Sequence, residues 1–151
     1  MSTRSTYRVI EKFTDNVTKK LVEKVVALVY VQCDGYPSGH PVETAEWLSK
    51  GKVVNGIGMD EGLVFNGAGC LAAQLVTRFK DGPGGCYLHS PKDRAKCGED
   101  YTYDIVVEYD KDGYKPKPQP TFIAYEVFRK TKKIFEGSPA EFVTWVKSQK
   151  E

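Results

Sequence analysis

Val22-Glu23-Lys24-Val25-Val26-Ala27-Leu28-Val29-Tyr30-Val31-Gln32 is the stretch whose reading decides the fold. Its β-branched and aromatic residues favour an extended chain. The unbroken apolar run Val25 to Val29 predicts burial on both faces, and so a central strand. Upstream, Ser5 to Phe13 reads as a strand with Tyr7, Val9 and Glu11 on one face. Asp15-Asn16 between them marks a turn. The two strands are therefore expected to pair antiparallel.

Downstream lies the loop Gln32-Cys33-Asp34-Gly35-Tyr36-Pro37-Ser38-Gly39-His40, then a short helix from Pro41 to about Lys50 with Val42, Ala45 and Leu48 inward. Proline suits the first helical position, and Gly51 suits the end. Val53 to Asn66, with its three glycines, reads as loop with a short strand at most. Leu71, Ala72, Leu75, Val76 and Phe79 recur at helical spacing and predict a helix over Ala68 to Lys80. Cys86 to His89 reads as a strand, and Ser90 to Asp100 as a charged loop. Tyr101 to Tyr109 alternates with Tyr101, Tyr103, Ile105, Val107 and Tyr109 on one face. Asp110-Lys111-Asp112-Gly113 is a hairpin turn signal. Lys115 to Pro120 is expected to be stiff and extended, with Thr121 to Phe128 returning. Ser138-Pro139-Ala140-Glu141 combines an N-cap serine, a first-turn proline and a capping-box glutamate, ahead of Phe142, Trp145 and Val146. The order β-β-α-loop-α-β-β-β-α implies a single α+β domain, mainly antiparallel, with three helices packed on the sheet.

Composition bounds the function. The 151 residues are 40% hydrophobic and 28% charged, a globular balance. Twenty-two basic and 20 acidic residues leave a formal charge of +2, without the basic excess of a duplex-DNA binder. The opening Met1 to Thr6 has no apolar core for a signal peptide. Val25 to Val31 is too short to span a bilayer. A cytosolic protein with free thiols is the expectation for Cys33, Cys70, Cys86 and Cys97. Cys86, His89 and Cys97 offer three donors where a structural zinc takes four, so no metal is expected. No cofactor motif is read.

Three groups of residues carry candidate chemistry. In the loop, Gln32 and Asp34 offer hydrogen bonds, Tyr36 an aromatic face and His40 a base, while Gly35 and Gly39 permit a tight path. Antiparallel pairing brings Thr3, Arg4 and Ser5 beside the end of the second strand, and an arginine among hydroxyls suits phosphate or carboxylate. Asn66-Gly67-Ala68-Gly69 opens the long helix, where free N–H groups suit an anion. His40 and Ser5 are the catalytic candidates if the protein is an enzyme. Ser2 would be a nucleophile only with a positioned amine and oxyanion donors.

The opening Met1-Ser2-Thr3-Arg4-Ser5, the segment Tyr30-x-Gln32-x-Asp34-Gly35-Tyr36-Pro37-Ser38-Gly39-His40, and Gly67-x-Gly69-Cys70-Leu71-Ala72-Ala73-Gln74-Leu75 resemble a family of small phage and bacterial proteins. The likeness runs to about Tyr103. It departs from the family at Cys33, where an aromatic residue is usual, and at Ser2, where glycine is. It implies by analogy of size and context a phage protein acting on the nucleotide signals of bacterial immunity. The leading expectation is a homo-oligomer that sequesters a phosphorylated nucleotide such as a cyclic dinucleotide or an ADP-ribose derivative. The alternatives are a metal-independent phosphodiesterase and a protein-binding module using Lys115 to Pro120 and the Tyr101 to Tyr109 strand.

Overall fold

The computed structural model describes residues 2–56, 58, 61–93, 96–111 and 113–149. Strands β1 (Ser5–Thr14) and β2 (Leu21–Val31) form the expected antiparallel hairpin, from Ser5 opposite Val31 to Thr14 opposite Leu21. Its turn is tied by Asp15, whose Oδ1 accepts from the amides of Val17 (2.8 Å) and Thr18 (2.9 Å). Val9 faces Ala27 while Ile10 faces Val25, so Val26 is an extra residue in β2. Leu28 and Val29, neighbours on opposite faces, are both fully buried, as the run predicts, while Val25, Val26 and Ala27 around the bulge are half-buried.

The centre of the sheet lies one strand further in. β6 (Tyr101–Glu108) pairs parallel with β1, Ser5 opposite Tyr101 through Lys12 opposite Glu108. β7 (Thr121–Glu126) follows antiparallel, and β8 (Lys132–Gly137) closes that side. β5 (Cys86–His89) lines only Leu28 to Val31 on the other edge. The order is β5-β2-β1-β6-β7-β8, a mostly antiparallel sheet in one α+β domain. β8 is the strand the sequence did not reveal. Its apolar residues, Ile134 and Phe135, are adjacent and sit among Lys132, Lys133 and Glu136. Charged residues of that kind suit an edge strand, and they mask its period. Within Val53 to Asn66, β3 (Lys52–Val54) and β4 (Val64–Asn66) pair as a small parallel sheet. In the expected turn over Asp110 to Gly113, Asp112 lies outside the described residues. Around it, Asp110 N–H donates to the Lys115 carbonyl (2.9 Å).

Helices α1 (His40–Ser49), α2 (Gly67–Phe79) and α3 (Pro139–Ser148) pack on one face. That face carries Tyr7, Val9, Val29, Tyr103, Ile105, Phe122 and Ala124. α2 contributes Ala68, Leu71, Ala72 and Leu75, and α3 contributes Phe142 and Val146. α1 buries Pro41, Thr44, Ala45 and Leu48, with Val42 half-buried. α3 begins with the expected capping box: Glu141 N–H donates to Ser138 Oγ (3.1 Å) and Ser138 N–H to Glu141 Oε1 (2.8 Å). The opposite face holds a different chemistry. Arg8 and Asp104, neighbours across the parallel pair, form a two-bond ion pair at 3.0 and 2.9 Å. Thr6 Oγ1 donates to Glu99 Oε2 and shares a second bond with Thr102 Oγ1, each 2.9 Å. Among the described residues, no helix is long and apolar enough to cross a membrane.

Candidate functional site

The loop after β2 is built by its own backbone. Asp34 takes a left-handed conformation (φ +58°), which reverses the chain. Gly35 N–H donates to the Thr3 carbonyl (2.9 Å), and Gly35 C=O accepts from the Tyr103 hydroxyl (2.6 Å). A side chain at Gly35 would put its Cβ 2.5 Å from Ser5 Cβ. At Gly39 a Cβ would collide with the Asp34 carbonyl. Gly39 N–H donates to Tyr36 C=O (2.8 Å) and Val42 N–H to Pro37 C=O (3.1 Å), which joins the loop to α1. Both glycines are required for close approach.

Under this loop, His40 links two strand residues. Its Nδ1 lies 2.8 Å from the Tyr7 hydroxyl and its Nε2 3.3 Å from Ser5 Oγ. Burial lowers its pKa from 6.5 to about 4, so the ring is neutral at physiological pH. A neutral imidazole donates through one nitrogen and accepts through the other, and both are in use here. Burial also raises the Tyr7 pKa far above its ordinary value. The buried Thr44 hydroxyl is close enough to Tyr7 to favour its ionised form, but it is outside hydrogen-bond geometry. Ser5 has 0% of its surface exposed. Ser5, Tyr7 and His40 therefore form an internal network, and Ser5 does not open to a ligand.

The sheet separates residues that the sequence grouped into one pocket. Pairing does set Thr3 and Arg4 beside the end of β2, as expected from the hairpin. Arg4, however, continues the Thr6 and Arg8 face of β1. Its guanidinium lies against Gly98 and influences Tyr30. Ser5, the next residue, turns to the helix side. Gln32 and Asp34 are exposed. Asp34 shares a recess of about 220 Å³ with Cys33, Tyr36, His40 and Glu43. Asn66 and Gly67 sit at the other end of the molecule. Gly67 is beside the Tyr109 hydroxyl, and Tyr109 N–H donates to the Lys12 carbonyl. Seven residue-to-residue steps along β1 separate Ser5 from Lys12, roughly 23 Å at about 3.3 Å each. Asn66 Oδ1 accepts from Gly56 N–H (2.7 Å), which occupies it locally. Cys86 is buried toward the helices, while His89, three residues along the strand, is exposed on the other face with Tyr30.

The larger cleft lies on the other side of Tyr36. It measures about 440 Å³, within the usual size of small-molecule sites. It is lined by Tyr36, Pro37 and Ser38 of the loop, by Tyr101 of β6, and by Trp145, Val146 and Gln149 of α3 and its end. Glu126, at the end of β7, and Ile134, in β8, complete it. Tyr36 retains 40% exposure. Burial, Glu126 and Asp100 raise the Tyr101 pKa, so Tyr101 meets the cleft as a neutral phenol. Among the described residues no cation lines the cleft, but Phe128-Arg129-Lys130, all exposed, and Lys132, opposite Glu126 in the ladder, stand in and beside the adjoining β7–β8 turn. Of these residues, sequence reasoning singles out Tyr36 for a small ligand and Tyr101 only as part of a strand offered to a protein partner. Glu126 and Trp145 read as strand and core residues. Recognising them requires the β7–β8 pairing, and β8 carries no readable period. No family model, no curated protein and no solved structure matches the chain.

Proposed function

We propose that the protein binds a phosphorylated nucleotide in the Tyr36 cleft and holds it unchanged, as a phage-type anti-defence protein that sequesters a cyclic dinucleotide or ADP-ribose-derived signal. The observation that carries this reading is the cleft itself, with Tyr36, Tyr101 and Trp145 around a space of about 440 Å³. Aromatic side chains at such a site stack on bases, each worth about 1–3 kcal/mol. Phosphates then meet Arg129, Lys130 and Lys132 at the rim, where guanidinium and ammonium groups pair with them. Binding without turnover is favoured because Ser5 is buried and both His40 ring nitrogens are engaged. The exposed part of Tyr36 is area that a ligand, or a second copy of the chain, gains by covering.

The test is native mass spectrometry of protein taken directly from cells, followed by denaturation and chromatography of whatever is released. The expected result is a nucleotide recovered intact. Multiple turnover of an added cyclic dinucleotide, with a cleaved product, would replace this reading with a phosphodiesterase.

A further inference from the structure

Glu126 is the acidic group of the described lining of the cleft, whose other polar side chains besides the tyrosines are Ser38 and Gln149. Among the described residues, no ion pair or side-chain hydrogen bond engages its carboxylate. An ionised carboxylate is an acceptor at both oxygens. A base that meets it edge-on therefore needs two adjacent donors. Guanine has them, in N1–H and the N2 amino group. Adenine and cytosine present one donor beside a ring-nitrogen acceptor, and uracil a single N–H between two carbonyls. Gln149, on the facing helix end, adds an amide that can donate to guanine O6 or N7. Glu126 stands directly opposite Tyr101 in the β6–β7 ladder, which places the carboxylate beside the ring on which a base would lie.

We propose that the cleft is selective for guanine nucleotides, with the base between Tyr36, Tyr101 and Trp145 and its N1–H and N2 amino group donating to the two oxygens of Glu126. This rests on the nucleotide reading above and names the base within it. The two hydrogen bonds run parallel into one carboxylate, a geometry that gives direction as well as strength. A base with an acceptor at that position leaves lone pair facing lone pair, so the discrimination is largely a penalty on the wrong base.

Isothermal titration calorimetry of the full chain with GMP, IMP and AMP tests it. GMP is expected to bind roughly tenfold or more tightly than AMP, with IMP, which lacks the N2 amino group, between them. Glu126→Gln, an exposed substitution with its own melting curve as a folding control, should bring GMP and AMP close to equal. A GMP preference that survives Glu126→Gln would overturn the assignment of Glu126. Equal binding of GMP and AMP, lost in Tyr36→Ala, would overturn guanine selectivity and leave the nucleotide reading standing. No binding of any of the three probes would overturn both.

Discussion

His40 stays neutral down to about pH 4 because burial disfavours its charged form. In the unfolded chain the same ring titrates near 6.5. Between these values the unfolded state binds a proton that the folded state refuses, so folding stability falls as pH drops through that window. The ceiling on the loss is about 3 kcal/mol, at about 1.36 kcal/mol per pKa unit. Urea melts at pH 7, 6, 5 and 4 should show the decline, and His40→Gln should flatten the part above pH 5, where carboxylates contribute least. A slope unchanged in His40→Gln would assign it to other groups. Gly35 is the second sensitive position. Gly35→Ala drives a methyl into Ser5, an overpacking expected to cost about 1–3 kcal/mol, and Ser5→Gly in the same chain should recover part of it. Thermal melts of the single and double variants check this. At this scale the sequence was informative where one residue type has few uses. Two glycines, a proline and a histidine after a strand marked a constructed loop. Which way each side chain would point was not legible. Arg4 and Ser5 are adjacent, and a one-residue step in a strand sends them to opposite faces.

The elements differ in how strongly their own residues specify them. α3 carries its start signal locally, in the bonds between Ser138 and Glu141. Ser138→Ala should cost about 1 kcal/mol, read as a lower denaturation midpoint with an unchanged slope. A larger loss would mean that the serine does more than cap. α2 was legible because five apolar residues recur at one spacing, and β6 because it alternates. β2 was legible as a strand buried on both faces, as Leu28 and Val29 are, but its bulge at Val26 was not legible. β8 was not legible, because a short edge strand takes its order from β7 and from Phe142 and Trp145 packing on Phe135. Such a strand should open more readily than the centre. Hydrogen exchange is therefore expected to be fastest in β5 and β8 and slowest in β1 and β6. Protection of β8 equal to that of β1 would contradict this order.

For the molecule as a whole, the decisive contact is between two strands far apart in sequence. β1 and β6 share a parallel ladder, and their Arg8–Asp104 ion pair joins residues 96 apart. Arg8 is 25% exposed and Asp104 3%, so removing either partner strands a charge, at a cost of several kcal/mol when buried. Arg8→Met should be markedly less stable than Asp104→Ala, because it leaves the more deeply buried charge, the Asp104 carboxylate, without its arginine, whereas Arg8 alone can turn to water; equal melting temperatures would refute this asymmetry. Sequence reasoning reached the fold class because hairpins and amphipathic helices are local signals. It did not reach the parallel pair, which no short-range pattern encodes. That pairing also has a consequence during synthesis. At about 5–20 residues per second, roughly 5 to 20 seconds pass between the emergence of Arg8 and of Asp104. Throughout that interval the inner edge of β1 has no partner on the nascent chain, and the ribosome-bound hairpin is a template for a neighbouring copy on the same message.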